Sequence, residues 1–346
     1  MRFLLISVPL ILLIQFAACT NQTSTAPTDR APLDLWESRP TDSKTFLNPA
    51  AALALAESTD FVTHPTSDEM AALQDPGAWR RLDRRHRYDA VLLAGQPAET
   101  ATLARHLAVS PDFRLERVDN WGFLFLRGLP SPVTPPPAKD IAADLPHPED
   151  RAALIAATAV NLDIIGEFSA ARELLAAARE LAPEAPAVLV CAATIDLQHE
   201  RYSSAVSSAS QALDLTPESI PALQIAAQSF AAVGAHDQAW RVAERLIDVA
   251  PPNDIQTLFL HAQLASNARA FSREQESLER LIEITEDAGR SATSYHVYLG
   301  QSFARQGLPR PAVKHFEAAL ADPDLDSSQR TDLEGTVKNI RDKTGI

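Results

Sequence analysis

The chain has 346 residues, 46% of them hydrophobic and 6% aromatic, which is ample for two packed domains and excludes a disordered chain. Forty-five acidic residues against 31 basic ones give a net charge of -14, so most of the surface would repel a phosphate backbone and nucleic acid is excluded as a general partner. Twenty-five prolines against 11 glycines point to helices punctuated by proline turns, and two cysteines, Cys19 and Cys191, are too few for a disulfide framework.

The chain opens MRFLLISVPLILLIQFAAC, with a positive charge at Arg2, an apolar run from Phe3 to Ile14 and small residues before Cys19. That is the layout of an export signal, and the run is short for a membrane span. Phe16-Ala17-Ala18-Cys19 resembles the lipobox of bacterial lipoproteins, with Phe16 where Leu is commoner. The resemblance implies removal of residues 1–18, lipid attachment at Cys19, and a membrane contact through that N-terminal lipid, since two or more acyl chains anchor stably. An ordinary cleaved secretory signal is the alternative. In lipoproteins of enteric bacteria an acidic residue after the cysteine retains the protein in the inner membrane; Thr20 is not acidic, which implies the outer membrane, facing the periplasm. Residues 19–32, polar and small, read as a flexible tether.

Residues 33–128 read as a small mixed α/β domain. NPAAALALAEST (48–59) predicts a helix, DFVTHP (60–65) a strand, and SDEMAALQD with GAWRRLDRRHR (67–87) one or two helices. YDAVLLAG (88–95), an apolar run ended by Gly, predicts a buried strand, and PAETATLARHLAVS (97–110) a helix with Pro in its first turn. FRLERVDN and WGFLFLRG alternate as a hairpin turning at Asp119 to Gly122. The closing pattern faintly resembles the soluble C-terminal part of bacterial membrane glycosyltransferases that use lipid-linked sugars, which implies at most a detached accessory module. The proline-rich stretch within 129–145 predicts a stiff connector and a domain boundary.

From there the sequence repeats. GEFSAARELLAAARELAP, ERYSSAVSSASQALDLTP and GAHDQAWRVAERLIDVAP begin at Gly166, Glu200 and Gly234, 34 residues apart each time. With units starting at Ala152, Pro186 and Ile220, the small residues Ala159, Ala171 and Ala178, then Ala193, Ala205 and Ala212, then Ala227 and Ala239, fall in register with Pro183, Pro217 and Pro251. These positions resemble the tetratricopeptide repeat, two antiparallel helices A and B that pack closely where small side chains cross. A degenerate fourth unit (255–286) has Glu274 and Leu281 where small residues are expected, and a fifth starts at Thr293 with Gly300, Gly307, Ala312 and Ala319 in place. The fold class expected is mainly α: a right-handed solenoid of about five helix pairs over 146–325, preceded by the α/β domain and closed by a polar capping helix in 326–346.

In that family the A helices line a concave groove. The matching positions include Ala156, Val160 and Ile164; Val190, Thr194, Leu197 and Gln198; Gln224 and Gln228; Phe259 and Gln263; and Gln301. The first three units lack the Lys, Arg and Asn of a carboxylate clamp. The resemblance therefore implies a neutral extended or helical segment of another envelope protein, whose backbone Gln can both donate to and accept from. The alternative is a groove filled by the protein's own N-terminal half, or solvated.

No catalytic motif, metal-ligand spacing or cofactor fingerprint is present, and neither a cofactor nor a metal is expected. The competing enzyme reading places a glycan-related activity in the N-terminal domain, carried by acids such as Asp60 near His64, and Asp119. Asp322, Asp324 and Asp326 have the spacing of a calcium loop, but Ser327 and Leu333 stand where Gly and Glu are needed. One local charge anomaly remains. Arg80, Arg81, Arg84 and Arg85 lie in RRLDRRHR and would meet lipid phosphates, an acidic patch on a partner, or the protein's own carboxylates.

Overall fold

The computed structural model describes residues 43–48, 51, 67–94, 97–129, 135–141, 143, 145–323 and 325–345. Cys19, the tether, Asp60, His64 and most of the segments expected as a helix and a strand over 48–65 lie outside them. Fourteen helices and four strands are present among the described residues, and none of the helices is long and apolar enough to cross a membrane. The chain divides into two compact units, one ending at Ala222 and one running from Leu223 to Ile346.

In the first unit, β1 (Thr45–Leu47), β2 (Ala90–Ala94), β3 (Phe113–Val118) and β4 (Gly122–Arg127) form a sheet in the order β1-β2-β4-β3. β1 runs parallel to β2, and the other pairs are antiparallel. The expected hairpin is present, with a register shift between Leu115 and Arg117. Asp119 shapes its turn by accepting the N–H groups of Trp121 at 2.8 Å and Gly122 at 3.3 Å. Gly122 is required by close approach, because a Cβ there would lie 1.9 Å from the Leu93 carbonyl oxygen. β1 escaped the sequence reading, because three residues carry too little period-two signal to stand out.

The two central strands are apolar on both faces, as befits strands buried on both sides. Val91, Leu93, Phe123 and Phe125 face a core shared with α1 (Ser67–Gln74), α2 (Pro76–His86) and α3 (Pro97–Ala108), while Leu92, Leu124 and Leu126 form a second cluster with Ala51. α2 starts where Asp75 accepts the N–H groups of Gly77 at 2.7 Å and Ala78 at 2.9 Å, with Pro76 in its first turn.

The repeat region supplies five helix pairs: α4 (Pro148–Ile164) with α5 (Phe168–Leu181), α6 (Pro186–Gln198) with α7 (Tyr202–Leu215), α8 (Ile220–Ala232) with α9 (His236–Val249), α10 (Ile255–Asn267) with α11 (Phe271–Asp287), and α12 (Thr293–Arg305) with α13 (Pro309–Leu320). The polar helix α14 (Ser327–Thr344) follows, capped by Asp326. The division between units falls inside α8.

Each pair is closed by the same device. Gly166, Glu200, Gly234, Arg269 and Gly307 all adopt positive φ, from 57° to 91°. The next residue's N–H reaches back to the first helix in every case: Glu167 to the Leu162 carbonyl, Arg201 to Asp196, Ala235 to Phe230, Ala270 to Ala265 and Leu308 to Phe303. This is a Schellman closure built five times. The small residues that set the register are buried: Ala159, Ala171, Ala178, Ala193, Ala205, Ala212, Ala227, Ala239, Ala312 and Ala319 are each no more than 1% exposed. Their methyl groups are helix contacts.

The described part of the proline-rich stretch, expected as a stiff connector, makes a turn and packs on the core. Asp140 donates its N–H to the Pro137 carbonyl at 2.9 Å, and Ala138 and Ile141 pack against the core that the sheet shares with α4 and α6. The apolar surface of α4 is large enough to draw the α/β part onto it, so within the first unit one core spans both.

Candidate functional site

The groove positions of the first pair are spent on internal packing. Ala153 is buried, and Ala156, Val160 and Ile164 belong to the core that also holds Leu103 and Leu107 of α3. Two polar contacts fasten them: Arg105 Nε donates to the Ile164 carbonyl at 3.0 Å, and Asn161 Nδ2 donates to the Asp119 carbonyl at 2.7 Å. Ala156, Val160 and Ile164, expected to receive a partner, are therefore covered by the protein's own α/β part. The sequence left this outcome open, because periodicity marks a helix face as apolar without naming what covers it.

On α6, Val190, Thr194 and Leu197 are also buried and Gln198 is half-buried. Asp163, 6% exposed, faces His199 Nε2 at 2.7 Å and ties the end of α4 to the end of α6. On α8, Gln224 is buried and Gln228 half-buried. Among the described residues, the side-chain oxygens Thr194 Oγ1, Gln224 Oε1 and Gln228 Oε1 have no hydrogen-bond partner.

In the second unit the expected positions are more open. Gln263 is exposed, and Phe259 and Gln301 are half-buried. The Phe259 ring lies 6.0 Å from that of Tyr295 and 5.5 Å from that of Tyr298, both half-buried on α12. Burial raises the Tyr295 phenol above its ordinary pKa, with Arg290 opposing. Neither tyrosine stood at a groove position in the repeat register. The signal available was the YHVY spacing, which sets two aromatic rings nearly one turn apart on the helix that follows Phe259.

The fourth unit departs from the repeat pattern by burying polar groups. Glu274, where a small residue belongs, is 3% exposed, accepts from Ser302 Oγ at 2.8 Å and pairs with the Arg305 guanidinium. Nearby, His261 places Nδ1 at 2.8 Å from Ser277 Oγ and Nε2 at 2.9 Å from Glu244 Oε1, beneath the Trp240 ring at 5.0 Å. Burial pushes the Glu244 carboxyl up, but hydrogen bonds from His261 and Arg273 outweigh it and its pKa is lowered. A cavity of about 360 Å³ opens beside His261, Ser277, Arg273 and Arg280.

Serine, histidine and glutamate in a row invite comparison with a nucleophilic site. Yet Ser277 stands in the middle of α11, where backbone N–H groups are committed to the helix and cannot hold an oxyanion. Arg273 is engaged by Glu244 and Glu276, and Arg280 by Glu283 and Asn253. The arrangement is a satisfied structural network.

Asp119, weighed as an acid of a glycan site, is occupied in shaping its turn and lies 3.8 Å from Arg117 Nε. Asp322, from the calcium-like run, accepts from Ser291 and Thr293, and Asp326 caps α14. Among the described residues no group of three His, Cys, Asp or Glu side chains could hold a metal ion.

The four arginines of α2 are all exposed, but they divide. Arg81 pairs with Asp75 at 3.5 Å and Arg85 with Asp68 at 2.9 Å. Among the described residues Arg80 and Arg84 have no such carboxylate, and Arg87, the last arginine of the same cluster, joins them at the left-handed end of the helix. Burial, and then the Arg80 charge, lower the pKa of His106 on α3.

No protein-family model and no curated protein matches the sequence. Among solved structures, YrrB, described as a TPR protein with an unusual peptide-binding site, is similar at 17% identity over 57% of this chain and 100% of its own, with a TM-score of 0.48. A MamA variant, the RS-1 ArsTM double mutant, is similar at 18% identity over 54% of this chain and 96% of its own, with a TM-score of 0.43. MamA residues 41 to the end from Desulfovibrio magneticus RS-1 gives 18%, 54% and 97%, again with a TM-score of 0.43. Likenesses of this degree say nothing of this chain's ligand.

Proposed function

We propose that the protein is a non-catalytic scaffold of the cell envelope, built from tetratricopeptide-like helix pairs that stack as a right-handed solenoid and hold a segment of another envelope protein. Lipid on Cys19 tethers it to the outer membrane, facing the periplasm. Five helix pairs closed by one recurring left-handed turn support the repeat reading.

The observation that carries the binding site is the partly open aromatic group Phe259, Tyr295 and Tyr298, on the two A helices that also carry Gln263 and Gln301. Aromatic rings supply contact area at little entropic cost, and the amides orient a backbone. With Ala156, Val160 and Ile164 covered, the partner segment belongs on the second unit. A photo-crosslinking residue at Gln263, activated in the native envelope, should capture one discrete protein, and Phe259→Ala should reduce its yield severalfold. Equal yields from Gln263 and from exposed Glu173 on α5 would refute the site. The anchor is tested separately: Cys19→Ser should release the protein from washed membranes.

A further inference from the structure

We propose that the outer face of α2 is a docking surface for anionic phospholipid headgroups, laying the α/β part of the first unit against the membrane. Trp79 and Leu82 hold the helix to the core, and the remaining surface is arginine-rich. Arg81 and Arg85 are neutralised by Asp75 and Asp68. Asp83, the carboxylate within the helix itself, is taken by Arg127 and by the Tyr88 N–H at 3.2 Å. Asp89, just beyond, accepts the Lys44 N–H at 3.0 Å.

Arg80, Arg84 and Arg87 are left exposed, and among the described residues none hydrogen-bonds or ion-pairs with their guanidinium groups. Arg80 and Arg84 are one helical turn apart, where like charges repel. In a chain of net charge -14, three unanswered cations side by side are relieved by an external anion, while the remaining surface is repelled from an anionic membrane. The same field that attracts this face turns the others away.

A lipid surface fits better than a protein. Protein interfaces centre on apolar side chains, and between Arg80 and Arg87 the apolar Leu82 is buried, leaving only charged and imidazole side chains outside. Phosphodiesters ask only for cations with a forked donor geometry. Each arginine near an anionic surface multiplies affinity about fivefold, so three give roughly a hundredfold, weak by itself. The tether expected over residues 19–32 is 14 residues long, and a flexible linker of that length would span roughly 20 Å. Such a tether raises the effective concentration to the millimolar range, where weak contacts are occupied. That last step rests on the lipid-anchor reading; the affinity of the ridge for headgroups does not.

The test uses the full chain carrying Cys19→Ser and flotation with vesicles of phosphatidylglycerol in phosphatidylethanolamine, against vesicles of phosphatidylcholine that report any contribution of the apolar leader. Binding to the anionic vesicles should fall steeply between 50 and 300 mM salt. Arg80→Glu/Arg84→Glu/Arg87→Glu should weaken it at least tenfold, while Arg172→Glu/Arg179→Glu/Arg310→Glu, the same charge change on other exposed helices, should weaken it less than threefold. Equal losses in the two variants, equal binding to neutral vesicles, or no binding to anionic vesicles would overturn the proposal. Capture by immobilised polyglutamate without vesicle binding would overturn it in favour of an acidic protein. Membrane pelleting of Cys19→Ser that persists after a high-salt and carbonate wash, which removes headgroup contacts, would overturn the anchor alone.

Discussion

The Glu274 carboxylate, 3% exposed in α11, accepts the Ser302 hydroxyl of α12 at 2.8 Å where the repeat pattern calls for a methyl group. With Arg305 on its other oxygen, this buried acid couples the fourth helix pair to the fifth. Removing it should leave Ser302 without an acceptor, so Glu274→Ala is expected to cost about 1–3 kcal/mol. Glu274→Ala/Ser302→Ala should be less destabilised than the two single changes added together. Urea denaturation of the four variants checks this, and strict additivity would mean the bond contributes nothing.

Gly300 on α12 is held small by Phe316 of α13, because an added Cβ would lie 2.7 Å from the ring. Alanine is the better helix former by about 1 kcal/mol, but overpacking costs about 1–3 kcal/mol. Gly300→Ala should therefore lower the melting temperature, and Phe316→Leu in the same chain should offset part of the loss. A rise in melting temperature on Gly300→Ala alone would refute the packing.

The left-handed turns make the opposite prediction. Glu200 and Arg269 sit at φ 57° and 58°, where the other three turns have glycine. A side chain there costs about 1–2 kcal/mol, part of which glycine returns through the freer unfolded chain. Glu200→Gly and Arg269→Gly should each stabilise by about 0.5–1 kcal/mol. Destabilisation by either would show that the turn at that pair is not left-handed.

Stability should also fall in mild acid. Burial, and then the His296 and Lys314 charges, lower the pKa of His315 from its ordinary 6.5. His315 Nδ1 lies 3.2 Å from His296 Nδ1, and His296 Nε2 lies 3.4 Å from Glu286 Oε1. A histidine with a depressed folded pKa is protonated first in the unfolded chain, so stability is full above about pH 6.5 and declines below it until the folded group titrates as well. His106 acts in the same direction. Urea midpoints at pH 8 and pH 5.5 should differ less in His315→Phe than in the parent; an unchanged difference would remove His315 from the account.

The repeat was legible in the sequence because it is local. Alanines 34 residues apart, and a left-handed turn after each A helix, depend on contacts within one helix pair and leave a periodic trace. The hairpin, the buried strand Ala90–Ala94 and the helices of 67–108 were legible for the same reason. What the A helices would face was not. Ala156, Val160 and Ile164 look like groove residues in the register, and only the packing of α3 and the β3–β4 turn against α4, fastened by Arg105 and by the Asn161 bond to the Asp119 carbonyl, turns them into core. Glu274 read as a defect in the repeat until Ser302 and Arg305 supplied its partners. The arginines of α2 were visible as a cluster, but which of them are neutralised depended on where Asp68, Asp75 and Arg127 come to lie. The sequence by itself determined the period, the element types and the balance of charge, because these follow from short-range chemistry along the chain. Which apolar face is covered and which cation is left unanswered depend on residues distant in sequence, and only the tertiary structure decided them.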